Sequence, residues 1–390
     1  MSFARVLAVP TLASLLAVAV AGPALADDSG NFVLRLGNDT TSVEHYTRSA
    51  SRIEVDQVGR APRVLRRHYI YDFRNGMISA VSMVVTPPGS ATPTQTIDAS
   101  FTADSMRMQI KTPDAPARDL HIAMPAGTVV VAGSSPWAMY ETQTMKLAGM
   151  KGDSLRATMY FLGAPSPQWL SLHKIGRDSM LVDNEHEDRY HVRVDKSGRV
   201  LGVLPISGTQ KFAVERVASL DVGAYAASFA ARETLGGGIG MLSPRDSVKV
   251  TTGGASLWID YGRPSKRGRV VFGGIVPYGE VWRTGANAAT QFKTDKSLDF
   301  GHGVMVPAGF YTLWTLPTAS GWKLIVNSET GQWGTEHKAA KDLFTIDMTV
   351  STMPVPVERF VITVEPSGQG GTLRFDWDTT RASAAFTVVP

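Results

Sequence analysis

Between Gly262 and Thr284 the chain carries five bases, Arg263, Lys266, Arg267, Arg269 and Arg283, against one acid, Glu280. Guanidinium groups present fixed forks of donors suited to a carboxylate, a phosphate or the hydroxyls of a sugar. Trp282 and Tyr278 lie beside them and offer faces for stacking on a sugar ring or another planar group. Asn287, just after Gly285, supplies an amide that meets a ligand or caps its own turn. Together with Trp333, the residues Arg263, Arg269, Trp282, Arg283 and Asn287 form the candidate ligand-binding set. The plainer account pairs Arg263 and Arg283 with carboxylates such as Asp260 and with loop carbonyls, and leaves Lys266 and Arg267 in solvent. A long loop has to satisfy its own backbone groups in some such way.

Other constellations are weaker. Asp183 to Asp188 followed by His191 is rich in possible ligands for a hard cation. Its histidines, His186 and His191, are five apart rather than four, and no glycine stands where a calcium loop turns. An exposed acidic hairpin tip is the simpler expectation. Asp376 and Asp378 share a strand face by the period of two, at a separation of about 7 Å that glycoside hydrolysis uses. Solvated surface is the default for them. Gly133-Ser134-Ser135-Pro136 lacks the second glycine of a nucleophile elbow. No cofactor or metal is implied, and catalysis is not the leading expectation.

The elements that must position these residues are strands. His68 to Phe73 sets Tyr69, Tyr71 and Phe73 on one face, and Met106, Met108 and Ile110 alternate with polar neighbours. The same rhythm returns in Leu257-Ile259-Tyr261, Ile346-Met348-Val350, Phe360-Ile362-Val364 and Leu373-Phe375-Trp377. Turns such as Arg74-Asn75-Gly76, Lys196-Ser197-Gly198 and Pro307-Ala308-Gly309 separate the strands. Asp221 to Glu233 reads as a short helix capped by Asp221, and Pro136–Gly149 is weakly helical. The chain is therefore all-β: two antiparallel β domains joined by a short helix and a Gly-rich linker. The tryptophans divide by phase. Trp322 and Trp377 fall with the core, while Trp258 and Trp314 point the other way, toward the N-terminal domain or a glycan.

Composition sets the outer limits. Arg5, the apolar run from Val6 to Ala21 and the small-residue site Ala24-Leu25-Ala26 read as a signal peptide over residues 1–26. The run is too short, and interrupted by Pro10, to remain as a spanning helix. A periplasmic or secreted protein without a transmembrane anchor is expected. A net charge of +4 is too small to draw nucleic acid non-specifically. The absence of cysteine excludes disulfides and thiolate chemistry. With 43% hydrophobic residues the chain is long enough to bury two cores, taken as 27–234 and 242–390 about a linker at 235–241.

The later half carries a more specific signal. The run from Ser243 to Phe292, followed by Val306–Pro317, Trp322–Asn327, Gln332–Gly334 and Met353–Phe360, resembles the bacterial domain of unknown function 2911. The resemblance implies exported β-sandwich proteins with no established activity. Members commonly carry glutamate after the Thr-Gly-Ala-Asn turn. Here that place is Ala288, so no role of such a glutamate carries over. The earlier half resembles no family. The expected function is a non-catalytic binding or structural module that recognises a glycan or a small anionic ligand. The alternative is a hydrolase with an unrecognised active site.

Overall fold

The computed structural model describes residues 28–131, 136–185, 188–209 and 211–389. The segment read as a signal peptide, Gly133-Ser134-Ser135, His186 and Glu187 lie outside the described residues. At 58% strand against 9% helix the chain is all-β.

The earlier half forms one sheet of fifteen strands among the described residues. From one edge, Ala115–Ala123, neighbouring strands run back through the chain to Asp28–Leu36. That first strand pairs with Ala213–Val217, and the order then steps back again to Val129–Val131 at the other edge. Only residues 124–128 connect the two edge strands. Such a link reaches at most about 20 Å, whereas fifteen flat strands would hold their edges about 65–70 Å apart. The sheet must curl round on itself.

Its concave side is filled by helix α1 (Trp137–Ala148). Trp137, Ala138, Met139, Tyr140 and Leu147 share one buried cluster with Phe32, Tyr46, Tyr69, Tyr71, Met106 and Met108. The tyrosine and methionine faces expected from the period of two are thus the lining of this interior. The helix follows Pro136, which has no side chain to cap its first turn. Glu44 of the neighbouring sheet does so instead, accepting the Ala138 N–H at 3.1 Å. Glu141, fully buried on α1, accepts Arg48 Nη2 at 2.8 Å, the Val200 N–H at 2.8 Å, and further donors from Tyr46 and Arg216.

Helix α2 (Val222–Arg232) covers the convex face. Asp221 caps it as expected, accepting the Ala224 N–H at 2.9 Å, and Val222, Ala226 and Phe229 pack on Val33, Val43, Val58 and Val64. The stretch expected as a linker, 235–241, is held just before its start and at its middle. Glu233 accepts the Val64 N–H at 3.1 Å, and Arg60 donates to the Gly237 carbonyl at 3.0 Å.

The later half is a nine-stranded arrangement folded into two layers. Two long strands, Asp342–Ser367 and Gly370–Val389, pair along their length with register shifts near Thr352–Val361. The first of them also pairs with Trp322–Asn327, and so passes from one layer to the other. Leu257, Ile259, Tyr261, Leu313 and Leu324 from one layer meet Phe360, Ile362, Leu373, Phe375 and Trp377 from the other in a common core. Trp322 and Trp377 lie in it, as their phase predicts. Trp314 points to the opposite face and is nonetheless buried, against Ala289 and Ile325 with the His337 ring beside it. That face is largely covered by chain, although Trp314 also lines a small cavity. Trp258 is half-buried against Phe310.

Candidate functional site

The basic loop, residues 263–289, joins the strands Ala255–Gly262 and Thr290–Thr294 and is fastened along its length. Lys266 N–H donates to the Glu358 carbonyl at 2.8 Å, and Phe360 N–H to Pro264 at 2.9 Å. Trp282 and Thr315 exchange a reciprocal backbone pair at 2.7 and 2.9 Å. Gly334 N–H donates to Asn287 at 3.0 Å. Arg267, Thr284 and Asn287 take left-handed backbone conformations, a cost met only where surrounding contacts hold them. The loop is rigid scaffold.

Its outer face meets the first sheet. Asn38 N–H donates to the Arg267 carbonyl at 3.0 Å, Arg267 pairs with Asp39, and Arg283 Nη2 donates to the Gly208 carbonyl at 3.1 Å. Arg267 was expected in solvent; its side chain is only 7% exposed, because it is the ion-paired bolt between the two sheets.

Between the sheets lies a cleft of about 360 Å³. Lys211, Arg269 and Arg283 line it, with Asn287 at its side and walls that include Leu36, Phe212, Ile275 and Trp377. No acidic residue is among the described residues lining it. A smaller cavity of about 200 Å³ shares Lys211, Arg283 and Gly208 with it and adds Glu280 and His337. Lys211 belongs to the connection between the strands Val200–Ser207 and Ala213–Val217.

The cations are held without full compensation. Arg269 Nε donates to the Lys266 carbonyl at 2.9 Å and its Nη2 to Ser265 at 2.6 Å. Arg283 Nη1 donates to Gly334 at 3.1 Å, and its Nε is buried with no acceptor among the described residues. Neither arginine forms an ion pair with a described residue. Burial, with Asp188 opposing, depresses the Arg283 pKa to about 10. Burial and then the Arg267 charge bring Arg269 to about 10, opposed by Glu358 and Asp39. For Lys211 the pKa is lowered by burial first and by Arg283 next, with Asp188 and Glu280 opposing. All three are positive charges short of counter-charge, and an anion in the cleft would restore their balance.

Of the residues singled out in sequence, Arg269, Trp282, Arg283 and Asn287 converge on this cleft. Arg263 does not. It bridges Asp246 at 2.8 Å and the Phe360 carbonyl at 3.1 Å, while Asp260 pairs with Arg245 instead. Trp333 lies beyond the lining, bridged to Ala288, with its N–H donated to Glu336. Trp282 is buried and offers little of its ring to a sugar. Its ring stacks on Trp377 at 5.9 Å, Phe272 and Phe360 abut its edges, and its indole N–H donates to Gly285.

Three of the other acids singled out are engaged within the protein. Asp376 pairs with Arg381 and Asp378 with Lys266, and the positive φ of Asp378 breaks the strand period that put the two on one face. Asp188, expected at an exposed tip, is buried and accepts the Thr209 N–H at 2.6 Å, holding the loop that presents Lys211. His337 hydrogen-bonds Asp342 at 2.9 Å.

Gly334 has a specific role in this geometry. A Cβ there would overlap the Arg283 side chain and the Asn287 carbonyl. Gly334→Ala is expected to cost about 1–3 kcal/mol, as overpacking does, seen as a lowered thermal midpoint. An unchanged midpoint would mean that Arg283 is free to move aside.

The sequence pointed to the loop because clustered guanidiniums stand out locally. Lys211, Phe212 and Leu36 were missed, since nothing in their own neighbourhood marks them.

Residues 243–386 match the family described as protein of unknown function DUF2911, and no family matches the earlier half. No curated protein matches the chain. Among solved structures it is similar to a DUF1089 family protein from Pseudomonas aeruginosa, at 13% identity and a TM-score of 0.31, covering 43% of this chain and 90% of that one. It is also similar to a β-barrel-like DUF1849 protein from Brucella abortus, at 11% identity and a TM-score of 0.33, covering 48% and 94%. No helix of the described residues is long and apolar enough to cross a membrane.

Proposed function

We propose that the chain is an exported binding protein, periplasmic or released, that takes a small anionic ligand into the cleft between its two sheets. One observation carries this reading. Lys211, Arg269 and Arg283 converge on an apolar-walled cleft that no described acid lines. A desolvated cation is costly without a partner, and a carboxylate or phosphate received there gains charge-assisted bonds that water would weaken. The walls, Leu36, Phe212 and Trp377 among them, suit an apolar body attached to the acid. Glycan recognition is less well served, because Trp282 is buried, with Trp377 stacked on its ring and Phe272 and Phe360 against it.

Calorimetry with benzoate, phenyl phosphate and uncharged benzamide tests the reading. The two anions are expected to bind and benzamide to bind at least about tenfold more weakly. Arg269→Ala, which removes only bonds to its own loop and the cleft-facing charge, is expected to weaken anion binding by about 1.5–3 kcal/mol. Equal affinity for the anions and benzamide, or an unaffected Arg269→Ala variant, sinks the proposal.

A further inference from the structure

We propose that Lys211 is a reactive amine that captures the carbonyl carbon of a small 2-oxo acid as an imine while Arg283 and Arg269 hold the acid's carboxylate. The inference rests on the anion-binding reading and assigns the ligand class.

Geometry carries it first. Lys211 lines both cavities, which share it with Arg283 and Gly208. It makes no hydrogen bond or ion pair with another described residue, unlike Lys266, Lys323 and Lys338, each of which holds a carboxylate. Arg283 lines both cavities beside it, and Arg269 lines the larger one. Of the two acids whose charge reaches it, Asp188 is committed to the Thr209 N–H and hydroxyl. Glu280 lines the smaller cavity.

Environment adds to this. Burial and two flanking guanidiniums disfavour the ammonium form and so free the nitrogen lone pair, the usual route by which a protein makes lysine nucleophilic. The step balances without any oxidant or reductant. The Nζ lone pair forms a bond to the carbonyl carbon, the C=O π pair moves to oxygen, and a proton from nitrogen reaches that oxygen. The resulting hydroxyl then leaves as water after accepting a proton, and a C=N bond remains. Glu280, in the same cavity, carries the second proton from nitrogen to that hydroxyl, so both protons of the amine leave in the water. An apolar side chain on the oxo acid extends toward Phe212 and Trp377 in the larger chamber.

The test incubates the full chain with phenylpyruvate and cyanoborohydride, which fixes an imine as a stable secondary amine, and maps the modified lysines by mass spectrometry. Capture of the acid's carboxylate beside Lys211 raises the local concentration of the carbonyl far above that met by any surface lysine. Lys211 is therefore expected to be labelled at least about tenfold more than any other lysine. Lys211→Arg, in protein whose near-ultraviolet circular dichroism matches that of the parent, is expected to lose that label. Phenyllactate, which has the carboxylate but no carbonyl, separates the two readings by calorimetry on the parent protein. If phenyllactate binds and label is spread evenly over surface lysines, the imine is overturned and anion binding stands. If neither compound binds, both proposals fall.

Discussion

Glu141→Gln is expected to destabilise the curled sheet by about 3–5 kcal/mol, the usual cost of removing one member of a buried ion pair. Glu141 is fully buried and shares its two oxygens among Arg48, Arg216, Tyr46 and the Val200 N–H. Arg48 is equally inaccessible, and without the carboxylate its remaining acid is Asp28 at 3.5 Å. Glutamine keeps the shape and one acceptor but leaves the two guanidiniums with too little negative charge. The contrast is with half-exposed pairs such as Arg52 and Asp72, where water replaces the lost partner and the effect is within about 1 kcal/mol. Urea unfolding followed by tryptophan fluorescence reads the change. A loss below about 1 kcal/mol for Glu141→Gln would show that the cluster is not what seats α1.

The second large effect is one of pH. Glu44 has its pKa raised from 4.5 to about 8, chiefly by burial, with the hydrogen bonds from Ala138 and Gln57 opposing and the Glu141 charge adding. The folded protein therefore holds this proton more tightly than the unfolded chain. The stability that the protonated group contributes is complete below about pH 4.5 and is lost as the pH rises through about 8. A separation of that size corresponds to about 5 kcal/mol. Glu44→Gln cannot ionise and keeps an oxygen for the Ala138 N–H, so it is expected to be close to the parent at pH 5 and several kcal/mol more stable at pH 9. Denaturant curves at the two values decide it. Parallel behaviour of variant and parent would show that water reaches Glu44.

Both effects arise at residues that looked ordinary in the sequence. Glu44 stands in a strand rich in polar residues, Asp39–Arg48, and Glu141 in a stretch only weakly helical. Their burial follows from the sheet curling around α1. By contrast, the faces Tyr69-Tyr71, Leu257-Ile259-Tyr261 and Leu373-Phe375-Trp377 were legible, because alternation across a pleat is a local property written in a few consecutive residues. Asp221 was legible for the same reason, since a helix cap reaches only three residues ahead.

The candidate site divides along that line. Arg269, Trp282, Arg283 and Asn287 come from one loop, and their types alone drew notice. Lys211, Phe212 and Leu36 come from distant turns of the other sheet, and only the packing of two separately formed layers brings them to the same cleft. Arg263, equal to Arg283 in type and surroundings on paper, was decided by the Asp246 carboxylate across the adjacent strand. Strand, turn and cap rest on interactions among near neighbours, which residue order specifies by itself. Which charges keep a partner and which face an open cavity depends on contacts between segments far apart in the chain, and those exist only once the sheets have closed.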